Sequence, residues 1–150
     1  MAIPDKFYRV FNDSSQSQYD EEYGFVAANS SLRLRMFSPW SEQQEDKIIR
    51  ALHEHLDWAN RDTTPFISVY SSKSAAFACA NGQLNNGRTG VTVAYIDRGK
   101  LSEDYLRKVR KLADELKYEI PDAAWDNSEF EWIVLHRIPT HAVSYLYDFN

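Results

Sequence analysis

The stretch DNSEFEWIVLHRIPTHAV, residues 126–143, leads two glutamates into a continuous apolar run. Read at a period of two residues, Glu129 and Glu131 share one face of a strand. Because Trp132–Leu135 is apolar on both faces, the run predicts a strand inside a sheet rather than at its edge. Ile138-Pro139 ends the strand, since proline has no N–H to donate to a ladder.

In this stretch, Glu129 and Glu131 are the candidate catalytic residues. On one face of a strand they would lie about 6–7 Å apart along the chain, at roughly 3.3 Å per residue. Two carboxyl groups on one face repel each other, which raises the pKa of one of them and suits a proton-accepting role. The alternative is that both acids are solvated residues of a loop that precedes the strand.

Length and composition predict one folded globular domain over residues 1–150. The chain is 43% hydrophobic and 14% aromatic, which is typical of a globule with a sizeable core. A net charge of −5 without a run of Lys or Arg argues against a nucleic-acid partner. Cys79 is the one cysteine, which excludes an internal disulfide. The sequence shows no signal peptide and no apolar run of ~20 residues, so we expect a cytoplasmic protein without a membrane partner.

An arginine lies between two phenylalanines in the first predicted strand. In the strand Phe7–Phe11, period two places Phe7, Arg9 and Phe11 on one face, which ought to be buried. Arginine is rarely buried unless it is paired. The pattern therefore indicates either a specific role for Arg9 or an edge strand whose arginine is in water.

Two helices are predicted from apolar spacing. The first runs over Glu42–Asn60, with Ser41 as its N-cap, and the second over Ser102–Lys117. His53 and His55 fall within the first helix. Because residues two apart on a helix do not face each other, they are not a metal pair, and we interpret them as surface or packing residues. No metal site is predicted.

The remaining elements are strands, one of which leads into a helix. Phe66–Tyr70 predicts a strand, and Ser71 or Ser72 then opens a helix over Lys73–Ala80 that stops at Asn81-Gly82. Hydroxyl groups at a helix N-terminus favour anions, although serine is also the commonest residue to start a helix. Val91–Ile96 and the terminal YLYDF, residues 145–149, complete the strands. The pattern predicts an α+β fold of mixed, mostly antiparallel sheets with flanking helices.

Three segments, in this order, resemble the ADP-ribosyltransferase-like fold of the Arg–Ser–Glu type. They are Tyr8-Arg9-Val10, then Phe66–Tyr70 followed by an alanine-rich helix, and finally Glu129-Phe130-Glu131 leading into Trp132–Leu135. The phrases HLDWANRDTTPFISVYSS and LHRIPTHAV are also similar to small fungal domains of unassigned function.

The resemblance implies that NAD is the substrate. It implies that Arg9 holds the diphosphate, that Ser68 braces the glutamate, that Glu131 is catalytic and that Glu129 activates an acceptor, which is a protein or a small molecule. The family's Ser-Thr-Ser strand is here Ser68-Val69-Tyr70. Tyr70 therefore either stacks on nicotinamide or blocks the pocket.

Three functions are compatible with this sequence. The first is an ADP-ribosyltransferase or NAD glycohydrolase, in which the Glu131 carboxylate stabilises an oxocarbenium-like transition state. The second is an inactive relative that binds a protein or a ligand through the same cleft. The third is a biosynthetic enzyme that uses the acids of the cleft on an unrelated small molecule.

Overall fold

A computed structural model describes residues 3–57 and 63–149 and shows an α+β fold built from antiparallel sheets. The strands are β1 Lys6–Phe11, β2 Tyr19–Asp20, β3 Gly24–Val26, β4 Phe66–Tyr70, β5 Thr92–Asp97, β6 Leu106–Lys108, β7 Glu131–Leu135, β8 Arg137–Ile138 and β9 Val143–Asp148. The helices are α1 Glu42–Leu56, α2 Lys73–Asn85, α3 Val109–Glu115 and α4 Asp122–Ser128. None of the helices in the described ranges is long and apolar enough to cross a membrane.

The main sheet has the strand order β6-β7-β4-β1-β5-β9, and β2-β3-β8 form a small second sheet. Every strand pair is antiparallel. The prediction that the strand after the two glutamates is internal is confirmed, because β7 lies between β6 and β4. The edge alternative for β1 is wrong, because β1 lies between β4 and β5.

The main sheet separates the helices from the small sheet. On the helical face, Ile133 and Phe66 pack with the apolar side of α1 and with α3. The same face carries Tyr70, which packs with Ala76 and Ala80 of α2. The opposite face packs against the small sheet and the segment after it, through residues that include Phe25, Ile138 and Ala142. Glu131 and Ser68 alternate onto the helical face, between the region covered by α1 and the region covered by α2.

The predicted helix Ser102–Lys117 is wrong in its first half. Ser102 precedes a short 3-10 turn, and β6 then pairs with β7 before α3 begins at Val109. The apolar residues of this segment pack on both faces of the main sheet: Leu101 and Leu106 lie on one face and Leu112 on the other. Pairing with β7 therefore overrides the helical spacing, as tertiary contacts often override propensity.

Two helix ends also differ from the predicted ones. Helix α1 ends at Leu56, because Asp57 has an extended backbone conformation, and the predicted residues 58–60 lie outside the described ranges. Helix α2 continues through Asn81-Gly82 to Asn85, where the Asn86 N–H donates to the carbonyl of Gly82. An isolated glycine within a helix is tolerated at a cost of about 1 kcal/mol relative to alanine.

We predict opposite effects on stability for alanine at two glycines. Gly24 has φ of +75°, and a Cβ atom there would collide with the carbonyl oxygen of Ile138. Gly24→Ala should therefore lower the free energy of unfolding by about 2–5 kcal/mol. At Gly82, inside α2, a Cβ atom would meet open space, so Gly82→Ala should raise the free energy of unfolding by roughly 0.5–1 kcal/mol. Urea denaturation of both variants checks this, and a neutral Gly24→Ala would contradict the described turn.

Candidate functional site

Strand β7 begins at Glu131, and Glu129 is not part of it. Glu129 ends helix α4 in a helical backbone conformation and is exposed, whereas Glu131 is 6% exposed. The predicted pair of acids on one pleat is therefore wrong. The cause lies before the apolar run, where residues 122–128 form a short helix and the chain turns through Phe130.

Glu131 is held by a serine of the neighbouring strand. The Ser68 hydroxyl donates to Oε2 of Glu131 over 2.6 Å. Burial raises the pKa of Glu131 to about 7, and the hydrogen bond from Ser68 partly opposes this rise. Repulsion from Glu129 is not the cause, contrary to the sequence interpretation. Glu131 is thus a carboxyl group whose ionisation falls in the neutral range, as is useful in catalysis.

His55 of α1 also contacts the Ser68 hydroxyl, and the sequence analysis did not predict this contact. Its Nε2 lies 2.6 Å from the Ser68 hydroxyl and 3.9 Å from Oε2 of Glu131, and its Nδ1 lies 2.8 Å from the Thr64 hydroxyl. Burial, and then the charge of Arg9, lower the pKa of His55 to about 4, so the ring is neutral. Because Ser68 gives its proton to Glu131, His55 donates from Nε2 and its Nδ1 is an acceptor facing the Thr64 hydroxyl, which is also within reach of the Phe66 carbonyl, over 3.4 Å.

A signal for His55 was present in the sequence. Ile48, Leu52 and Leu56 form the buried stripe of α1, and His55 follows Leu52 by three residues on the same side. His53 lies off that stripe and contacts the Tyr118 hydroxyl through Nδ1 over 2.9 Å. His53 is thus a surface residue and His55 a packing residue against Phe66, as the two alternatives allowed, but the contact of His55 with Ser68 was not predicted.

Arg9 lies beside the same strand, 7% exposed. Its Nη1 donates to the carbonyl of Ser68 over 3.0 Å and its Nη2 to the carbonyl of Ser17 over 2.9 Å. The guanidinium also lies 5.0 Å from the centre of the Phe25 ring. Burial lowers the pKa of Arg9 to about 10, so it remains charged at neutral pH. Among the described residues no carboxylate forms an ion pair with it.

Tyr70 follows Ser68 on the same face of β4 and lies opposite Glu131 in the pairing with β7. Its hydroxyl donates to the thiol of Cys79 on α2, over 3.9 Å. Burial is the main cause that raises the pKa of Tyr70. Its hydroxyl is thus directed at α2, on the side of Glu131 away from His55.

Two cavities flank this group. The first, of about 460 Å³, has among its lining residues Arg9, Ser17, His55, Thr64 and Ser68. The second, of about 710 Å³, has among its lining residues Asn12, Tyr70, Cys79, Gln83 and Asn127. Ser15 lines both, so the segment 12–18 after β1 runs between them. The structure thus places Arg9, Tyr70 and Glu131 around Ser68 and leaves Glu129 outside. Glu131 contacts the Ser68 hydroxyl on the helical face, whereas Arg9 contacts the Ser68 carbonyl and packs on Phe25 on the face of the small sheet.

Within the described residues, no group of three His, Cys, Asp or Glu side chains could hold a metal ion. The chemistry open to this site is that of a buried carboxyl group, a neutral imidazole and a buried cation.

Comparison with known proteins gives a family and a fold. The family model DUF7587, described as a domain of unknown function, matches residues 2–149. The solved structure EcPltA, which is ADP-ribosyltransferase-like, is similar with a TM-score of 0.59 and 11% sequence identity, over 95% of this chain and 74% of that chain. The likeness supports the α+β fold, and at this identity it shows the fold alone. No curated protein matches the sequence.

We predict that Glu131 and His55 act oppositely on the pH dependence of stability. The folded pKa of Glu131 lies above its ordinary 4.5, so its contribution is present below pH 4.5 and is lost as the pH rises through 7. The folded pKa of His55 lies below its ordinary 6.5, so its contribution is present above pH 6.5 and is lost as the pH falls through 4.

Single substitutions should separate the two effects. Relative to the wild type, the free energy of unfolding of Glu131→Gln should rise by on the order of 2 kcal/mol as the pH rises from 4.5 to 7. That of His55→Gln should fall by a similar amount as the pH rises from 4 to 6.5, in urea denaturation at stepped pH. Parallel pH curves for the wild type and both variants would contradict the described burial.

Proposed function

The chain belongs to the DUF7587 family, and we propose that it is an NAD-consuming enzyme, either an ADP-ribosyltransferase or an NAD glycohydrolase. The observation that carries the proposal is the hydrogen bond from Ser68 to the buried Glu131, beside the cation of Arg9. The ADP-ribosyltransferase-like fold of EcPltA supports it at the level of architecture.

Glu131 supplies the catalytic charge in this proposal. Breaking the bond between nicotinamide and ribose builds oxocarbenium character on the sugar, which a fixed carboxylate stabilises. Burial raises the pKa of Glu131 to about 7, so at neutral pH a cationic nicotinamide ring at the site shifts Glu131 toward its ionised form. The carboxylate then faces the developing positive charge from a site of low dielectric constant.

His55 positions Glu131 through Ser68. A neutral imidazole that donates from Nε2 leaves the Ser68 proton for the carboxylate, so Glu131 keeps one orientation. Thr64 completes the chain of hydrogen bonds at Nδ1 of His55. A well-oriented charge requires no reorganisation at the moment of bond cleavage.

Arg9 binds the diphosphate of NAD. Arginine has five N–H groups, and the described bonds to the carbonyls of Ser68 and Ser17 use two of them. Charge-assisted hydrogen bonds to phosphate are about twice as strong as neutral ones.

A second candidate is an inactive module that binds a ligand or a protein. The low exposure of Glu131 favours it, because the carboxyl group lies behind Ser68 and Tyr70 and lines neither cavity. The two candidates differ in one measurement, which is the release of nicotinamide from NAD by the purified protein.

We predict that Glu131→Gln reduces the rate of nicotinamide release by on the order of 10²–10³, because the charge aimed at the oxocarbenium ion is lost. Glu129→Gln is the matched control, since it makes the same change at an exposed residue outside β7. It should spare NAD hydrolysis, and it should reduce transfer only if Glu129 serves the acceptor. Equal nicotinamide release by the wild type and Glu131→Gln would refute the catalytic role.

Helix α1 offers a second matched pair. His55→Ala should lower kcat for nicotinamide release by roughly ten- to a hundredfold, since a small misplacement of Glu131 costs rate at that scale. His53→Ala, two residues away at the surface, should leave kcat unchanged. If both variants lose activity equally, the effect comes from α1 as a whole and not from the contact with Ser68.

A further inference from the structure

We propose that strand β9 is a dimerisation edge, which pairs in antiparallel orientation with β9 of a second copy of this chain about a two-fold axis. β9 is the last strand of the main sheet and pairs with β5 on its inner side. No backbone group of another described segment pairs with its outer side. The surface is separate from the candidate functional site, because no residue of β9 lines either of the two cavities that flank that site.

The two edges of the main sheet differ in how they are protected. β6, at one edge, has three residues, of which two are Arg107 and Lys108. Short length and positive charge are common protections of an edge strand against pairing with another chain. β9, at the other edge, has six residues, and Asp148 is the one charged residue among them. A long edge strand with little charge is a template for a further strand.

β9 exposes large side chains on both of its faces. Tyr145 is 55% exposed, Leu146 38% and Tyr147 40%. Tyr145 ends a row of rings that crosses neighbouring strands, in which the ring centres of Tyr8 and Tyr95 lie 5.1 Å apart and those of Tyr95 and Tyr145 lie 5.3 Å apart. The row stops at the edge of the sheet, so a tyrosine on an added strand would continue it.

Hydrogen bonding to β5 determines which backbone groups of β9 face outward. The Phe149 N–H donates to the carbonyl of Val91. Backbone groups of successive residues alternate between the two sides of a strand. Tyr147 and Tyr145 therefore also face β5, whereas Leu146 presents its N–H and its carbonyl to the outer side. The register shift in the pairing with β5 lies before Tyr145, so the alternation holds from there onward.

The occupant that fits this edge is a second copy, because β9 is complementary to itself. A two-fold axis at Leu146 places the outward groups of the two Leu146 residues opposite each other, so that each N–H donates to the other's carbonyl. Tyr145 of each copy then faces Tyr147 of the other, which forms an aromatic cross-strand pair on each side of the axis. Asp148 of each copy faces Ser144 of the other, so like charges are not opposed. With the axis moved to Tyr147, Asp148 would instead face the apolar Leu146.

Association is measured by sedimentation velocity of the purified chain, from about 1 µM to 1 mM. We expect a monomer–dimer equilibrium within this range. Leu146→Pro removes the outward N–H, and proline is tolerated in an edge strand where its nitrogen faces outward. It should raise the Kd of the dimer by on the order of 10–100-fold, because both reciprocal hydrogen bonds are lost.

Two further variants control this result. Tyr105→Ala removes a side chain that is 50% exposed beside β6, at the opposite edge, and should leave the Kd unchanged. Leu146→Lys keeps the N–H but brings two ammonium groups face to face across the axis, so it should also raise the Kd. It replaces Leu146→Pro as the test if the proline variant does not fold.

Hydrogen exchange of single amides locates the interface. The Leu146 amide should exchange several-fold more slowly in concentrated than in dilute protein, because its N–H is bonded in the dimer alone. The amides of Tyr145 and Tyr147 face β5 in both states, so their exchange should depend much less on concentration.

A wild type that stays monomeric up to about 1 mM would overturn the proposal, whatever other strand the edge accepts. A dimer whose Kd is unchanged in folded Leu146→Pro or Leu146→Lys, or is raised equally by Tyr105→Ala, would overturn it as well. So would a Leu146 amide whose exchange is independent of concentration. These outcomes leave the proposed function untouched, because none of the measurements involves NAD.

Discussion

The guanidinium of Arg9 joins two strands that barely pair. The register between β1 and β4 is confined to Tyr8 opposite Tyr70, whereas β1 pairs with β5 along its whole length. Where β1 and β4 diverge, the Ser68 carbonyl needs a donor, and Arg9 supplies it. The same side chain fixes the segment after β1 through the Ser17 carbonyl and packs on Phe25 of the small sheet. The first cavity lies in the gap between β1 and β4, so Arg9, which bridges this gap, also lines the cavity.

The ionisable groups of the site are arranged to carry little charge in the free protein. Burial shifts the pKa of Glu131 upward and the pKa of His55 downward, so both shifts favour neutral forms. Of these three groups, Arg9 stays charged, because its pKa of about 10 is still far above neutral pH. The acidic residues Glu54 and Asp57 line the first cavity together with Arg9, so this cavity is not cationic overall. A ligand that brings negative charge to Arg9 and positive charge to Glu131 would offset the cost of both burials.

The sequence predicted the longer strands for clear physical reasons. Alternation at period two identified β1 and β4, while the arginine between two phenylalanines left open a specific role or an edge strand, and the strand order decides between them. The resemblance to the ADP-ribosyltransferase-like fold rests on the order of short motifs and not on periodicity. The predicted position of Glu129 on the strand was wrong, because a glutamate before an apolar run is equally compatible with the start of a strand and the end of a helix. The chain turns at Phe130, between the end of α4 and the start of β7, and this turn depends on tertiary contacts that the local sequence does not show.

His55 and Ser17 show two different limits of sequence reasoning. His55 lies on the apolar side of α1, which is consistent with a packing residue, but the spacing alone does not show that its ring meets a serine of β4. Ser17 offered no such signal, since it sits in a polar stretch without periodicity and only the fold reveals that its hydroxyl is buried and unpaired. Buried groups that violate the rule of satisfied hydrogen bonds can be recognised only once burial is known. Among the described residues such violations include Arg9 Nε and Ser17 Oγ, two atoms that are buried within the fold although their residues contribute to the lining of the first cavity.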